Sequence, residues 1–175
     1  MIAWSKLELE IFDFLDNQKS KGSEDTARFF ATSYHEAVTR AMDPFGNIVV
    51  LKSQEILTTA WMQVFATNFA SPKDLKSAPY NFIGAAMIQY WTGNPVSPLI
   101  PHPGAVTGTV NVIVFPGNPV SLSMAIYNAF QLKDAKKVAT DLVKAYQDHL
   151  STTTGLFTGI TPAPSPIVVP WIGLN

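Results

Sequence analysis

Apolar positions recur at helical spacing through most of this chain and change character in the middle and at the C-terminus. Leu7, Ile11, Phe14 and Leu15 share one face and predict a first helix that ends near Lys21-Gly22. Ser5-Lys6-Leu7-Glu8 has the form of a capping box at its start. Ala27, Phe30, Ala31, Tyr34, Val38 and Ala41 form a second stripe, with Ser23 as cap and Glu24 and Asp25 at the positive end of the helix dipole. The turn cluster Asp43-Pro44-Phe45-Gly46-Asn47 follows, and then IVVL, which reads either as a strand or as a buried lead into the next helix. From Ser53, a third stripe takes in Ile56, Leu57, Ala60, Trp61, Val64 and Phe65. A fourth helix is predicted from about Pro79 to Trp91.

The periodicity then breaks. NPVSPLIPHPGAVTGT carries too much proline and glycine for regular structure and predicts an extended, polyproline-like path. TVNVIVF alternates as a strand does and is closed by Pro116-Gly117. Asn118-Pro119 then caps a fifth helix with Leu122, Ile126, Ala129 and Phe130 inward, and Asp134 caps a sixth that runs until Gly155. The expected fold is mainly α, with about six helices, a small β strand or ribbon and a proline-rich arm. Residues 1–155 make a mostly helical domain with an uncharged insertion near 93–118, and 156–175 make an extended apolar C-terminal arm.

Charge sharpens this division. Lys plus Arg number 12 against 13 Asp plus Glu, so no positive excess is present to bind a polyanion, and nucleic acid is not an expected partner. No Asp, Glu, Lys or Arg occurs among the 56 residues from Ser77 to Leu132, and none follows Asp148. The longest apolar run there, Phe82 to Trp91, is too short to cross a bilayer, so no membrane is expected. The opening MIAWSKLELEIFDFLD has acids where an export signal needs an apolar run. With no cysteine, disulfides and thiolate chemistry are excluded.

A search for catalytic or metal-binding patterns finds none that is complete. His35-Glu36-Ala37-Val38-Thr39 begins like a zinc-protease motif, but Thr39 stands where the second imidazole is required. The spacing of His35, His102 and His149 is compatible with a three-histidine metal site, yet nothing specific in the sequence supports one. No Gly-x-Ser-x-Gly elbow and no phosphate-cradling glycine loop is present. Glu8, Glu10, Asp13 and Asp16 fall on the solvated side of the first helix. Tyr80, Phe82, Tyr90 and Trp91 offer aromatic surface, which core packing accounts for and which a carbohydrate- or ligand-binding module or enzyme would use differently. No catalytic residue, cofactor or metal is therefore expected.

The closing residues GITPAPSPIVVPWIGLN have no charge to keep them solvated, so the arm is expected to lie in a groove. Its prolines extend the backbone and are expected to keep it out of helices and regular sheets. Covering about 900 Å² of apolar arm would contribute on the order of 20 kcal/mol before ordering costs. The groove belongs either to the same chain, as in a self-docked adaptor domain, or to a neighbour. The neutral middle favours a neighbour, with Phe157, Ile167, Val169, Trp171 and Ile172 as interface anchors.

The LELEIFDFL and TARFFATSYHEAVTRA helices, the IQYWTG segment, PHPGAVTGTVNVIVFPG and the ending PAPSPIVVPWIGLN give a layout that resembles small virion structural proteins of large tailed bacteriophages, particularly those infecting marine cyanobacteria. The resemblance implies a repeated, non-enzymatic part of a capsid, neck, tail or baseplate. Its partners would be other virion proteins or copies of itself, assembled in the host cytoplasm. It supplies no functional residues to carry across.

Overall fold

The computed structural model describes residues 3–17, 22–39, 43–44, 48–49, 54–68, 78–92, 96–97, 107–160 and 165–174. Among these, the fold is mainly helical with a small antiparallel sheet. The helices are α1 (Trp4–Asn17), α2 (Ser23–Val38), α3 (Glu55–Asn68), α4 (Asn81–Thr92), α5 (Pro119–Ala129) and α6 (Ala135–Ser151). The strands are β1 (Ile48–Val49), β2 (Val96–Ser97), β3 (Thr107–Phe115), β4 (Thr154–Ile160) and β5 (Pro166–Ile172).

Each helix packs on the next in sequence, and α6 returns to α1, so the six close into a ring. Inside the ring the aromatic residues form two connected groups. Phe30 stacks on Trp61 with ring centroids 4.9 Å apart and meets Phe130 edge-on at 5.4 Å. Tyr34 lies 4.7 Å from Tyr146 and 5.9 Å from Tyr90, and the Trp91 indole N–H donates to the Tyr34 hydroxyl at 3.0 Å. Burial raises the Tyr34 and Tyr146 phenols well above their ordinary range. One crossing requires a glycine: a Cβ on Gly84 of α4 would stand 2.5 Å from the Pro119 carbonyl oxygen at the start of α5.

Capping explains where several helices begin. The Asn118 side chain accepts from the amides of Val120 and Ser121, and Asp134 accepts from Lys137 N, as the sequence predicts. Two other caps differ from expectation. Helix α1 starts at Trp4, which puts Ser5 inside the first turn. Helix α2 is preceded by Gly22 at φ 97°, which leaves Ser23 as a helical residue and no side-chain cap. Ser53 and Ala41 lie outside the described residues.

The sheet runs β1-β2-β3-β4-β5, every pair antiparallel. The ambiguous IVVL therefore contributes a strand at Ile48–Val49, and the proline-rich segment expected to lack regular structure contributes β2 and the beginning of β3. The larger correction concerns residues 156–175. Where they are described, at 156–160 and 165–174, they do not stay out of a regular sheet as their prolines suggest: β4 pairs along β3, and β5 along β4. Prolines are admitted because β5 is an edge strand. An edge strand has one row of amides without ladder partners, and Pro166 and Pro170, four residues apart, fall in a single row.

Candidate interaction surface

Cross-strand register divides the sheet into two faces. One row consists of Ile113, Gly155 and Trp171, and the next of Phe115, Thr154 and Ile172. Trp171 is only 4% exposed and belongs to the central hydrophobic core with Leu174, while Val169 packs half-buried against it. Ile172 is 68% exposed, Val168 62% and Phe115 45%, and Pro170 is exposed beside them. Leu156, Thr154 and Thr158 are half-buried between these neighbours. The inner face thus closes on the helices, and the outer face presents apolar side chains to water.

A bulge in β3 widens that outer surface. Ile113 pairs with Gly155 and Phe115 with Thr154, so Val114 is an extra residue without a partner in register. It is 57% exposed. Strands β3, β4 and β5 contain no charged residue, so nothing on this face attracts or repels by charge.

The five expected anchors separate accordingly. Trp171 is committed to its own chain's core, Val169 supports it, and Ile172 stands on the open face. Register places Phe157 opposite Val169 and Ile167 opposite Gly159. Phe115, Val168 and Pro170 were not singled out by sequence. A period-two reading of PIVVPWI would have found the latter two, because Val168, Pro170 and Ile172 alternate with Val169 and Trp171.

The hairpin is anchored at its far end by the backbone. Gly173 N–H donates to the Thr153 carbonyl at 2.8 Å and Leu174 N–H to the Leu150 carbonyl at 3.1 Å. Leu150 lies in the last turn of α6 and its carbonyl also accepts from Thr153 N–H at 3.1 Å, while Thr153 follows the helix's C-cap, Thr152. Gly173, at φ 86°, makes the turn between them.

A second cleft, of about 410 Å³, lies between α5 and α6 and is lined by Asn118, Ser121, Leu122, Asp148, His149 and Thr152 among others. His149 is buried, and neither ring nitrogen has a hydrogen bond of acceptable geometry. Burial pushes its pKa down to about 4, opposed only weakly by the nearby Asn118 backbone, so at neutral pH the ring is uncharged. Gly117, at φ 91°, packs directly on it: a Cβ there would meet the His149 carbonyl oxygen at 2.6 Å. The nearby α5 N-terminus does not offer an anion site, because its amides at Val120 and Ser121 already bond Asn118.

The aromatic platform considered for a ligand is dispersed. Tyr80, Tyr90 and Trp91 are buried, and only Phe82 is substantially exposed. His35 bonds the Tyr90 hydroxyl through Nδ1 at 3.0 Å, and burial lowers its pKa. Among the described residues no group of three His, Asp or Glu side chains is placed to hold a metal, and no helix is long and apolar enough to cross a membrane. His102 lies outside the described residues. Comparison with protein-family models, curated proteins and solved structures gives no match to this chain.

Proposed function

We propose that this chain is a non-enzymatic structural subunit of a tailed-phage virion, joined to its neighbours through the outer face of the sheet. The observation that supports the assembly role is the uncharged apolar surface formed by Phe115, Val168, Pro170 and Ile172. Exposed apolar surface of this kind is a liability for a solitary protein and an asset for one that is covered in a particle. The phage assignment rests on the resemblance in sequence layout.

The binding element differs from the arm that composition alone suggests. Trp171 is spent on the chain's own fold, so a neighbour meets the opposite side of the same strand. Deleting residues 156–175 would therefore damage the core as well as any contact. The cleaner experiment is the double variant Val168→Lys/Ile172→Lys, expressed during infection in place of the natural chain and followed into purified particles. Exclusion of a folded variant is the expected result; incorporation at the natural level would overturn the assigned surface. Absence of the natural chain from particles would overturn the virion role itself.

A second reading has one specific observation in its favour. The seat of Trp171 in its own core also suits a cellular adaptor domain whose C-terminal hairpin is a fixed part of its body. Such a protein would be found in cells without particles.

A further inference from the structure

Among the described residues, every buried side-chain nitrogen or oxygen without a hydrogen-bond partner belongs to Tyr146, His149 or Thr153. All three lie on α6 or just past its end. A buried polar group left unpaired costs more than one hydrogen bond contributes, so this end of α6 stays closed against a standing penalty. Water would relieve it if the end opened.

The same stretch ties down the C-terminal hairpin. Thr152 N–H donates to the His149 carbonyl, Thr153 N–H and Leu174 N–H to that of Leu150, and Gly173 N–H to that of Thr153. Residues 149–153 thus supply every acceptor in this knot, and His149 stands at its start. The histidine is 4% exposed and packs against Gly117, where an added Cβ would lie 2.7 Å from Nδ1. The cleft between α5 and α6 does not make the ring a ligand, because neither nitrogen presents surface to it.

Little around the ring could accommodate a charge. The Pro116–Asn118 turn, α5 and strands β3 to β5 contain no Asp, Glu, Lys or Arg, and Tyr127 is their only titratable side chain. On α6, Asp148 lines the same cleft but is exposed, and Tyr146 is buried one turn earlier against Tyr34 of α2. Helix α1 also packs on α6, where its Glu8 accepts from the Thr140 hydroxyl, more than two turns before His149.

We propose that His149 makes this junction an acid-operated latch. A proton on the ring, which has no partner in the closed seat, favours a form in which the ring stands in water, the last turn of α6 is unwound, and Gly173 and Leu174 are released while the helices remain assembled. The latch goes beyond the assembly role and does not depend on it. Release unseats Trp171 and Leu174 and turns the committed side of the hairpin into available apolar surface.

The closed seat holds the ring's pKa at about 4, against 6.5 as its ordinary value, so the open form takes the proton first. Opening is unaided above pH 6.5 and increasingly favoured as pH falls toward 4. Between pH 7 and pH 5 the opening equilibrium should rise about twentyfold. Asp and Glu ordinarily titrate below that window. His35 lies on α2 against Tyr90, so its titration acts on the helices and not on this junction.

Amide hydrogen exchange read by NMR on the full chain tests the latch. Protection at Thr152, Thr153, Gly173 and Leu174 should fall about twentyfold from pH 7 to pH 5, while that of Phe30, Ala31 and Tyr34 in α2 stays within about threefold. The fall should vanish in His149→Gln and in the apolar His149→Met. In the unmodified chain the His149 Cε1 proton should titrate with a midpoint of about 4. Hairpin amides that keep their protection at pH 5, hairpin and α2 amides that lose it together, a fall that persists in both variants, or a ring that titrates at its ordinary value would each overturn the latch. Should a variant fail to fold, the ring's midpoint and the comparison with α2 decide the matter.

Discussion

Two sides of one strand have opposite fates in this protein. Along β5, Trp171 and Val169 turn toward the helical ring, whereas Val168, Pro170 and Ile172 turn away. The residues are similarly apolar, and alternation along a strand is enough to assign one set to the core and the other to solvent. Hydrophobicity therefore marks the whole hairpin as something to be covered. It does not say that half of the cover comes from the chain itself. The inner half has the helices, the backbone bonds of Gly173 and Leu174, and the packing around Leu150; the outer half has none of these.

The contrast is most strongly broken from the inside. Trp171→Ala should cost about 3–5 kcal/mol, the usual penalty for removing a large buried aromatic, and urea unfolding would show it as a lower midpoint. Acid comes next. His149 has a pKa of about 4 when folded against 6.5 as its ordinary value, so the unfolded chain takes up the proton first. Its contribution is intact above pH 6.5 and is lost as pH falls toward 4, at about 3 kcal/mol in full. His35 is shifted in the same direction and adds to the loss. Unfolding midpoints measured across that window should fall with pH, and His149→Gln should flatten the slope.

A smaller effect is expected within the helical ring. Gly84→Ala would set a methyl group 2.5 Å from the Pro119 carbonyl oxygen, and the cost of forcing α4 and α5 apart, about 1–3 kcal/mol, should exceed the roughly 1 kcal/mol gained in helix propensity. The smallest effect belongs to the outer face. Ile172→Lys should change stability by no more than about 0.5 kcal/mol while reducing incorporation into particles. A large loss of stability there would mean that the outer residues also hold the fold, and the distinction between the faces would collapse.

Much of the helical body is legible in the sequence because its signals are local. Asn118 and Asp134 bond amides two or three residues ahead, and a stripe such as Ala27, Phe30, Tyr34 and Val38 needs no knowledge of what it packs against. The cap of α1 is misread by two residues and that of α2 by one, because serine at the first helical turn and serine at the cap look alike in sequence. The sheet is less legible because pairing is non-local. Nothing within PIVVPWI announces that it will lie at an edge, and edge position is what makes its prolines compatible with a strand. The same lack of distance information made Trp171 look like an anchor for a neighbour, since burial is written in composition and the identity of the covering surface is not. His149 was visible as a helix residue, but its isolation depends on Gly117, 32 positions earlier in the chain.

The central claim is that the C-terminal hairpin is an integral part of its own molecule, with only its outer side left for others. Hydrogen exchange on the dilute, monomeric chain tests it most directly, through the amides of residues 154–174. Slow exchange at Gly173 and Leu174, whose N–H groups bond Thr153 and Leu150, and through the paired amides of β4 and β5, is the expected result. Exchange at the rate of an unstructured peptide until a neighbour binds would contradict it.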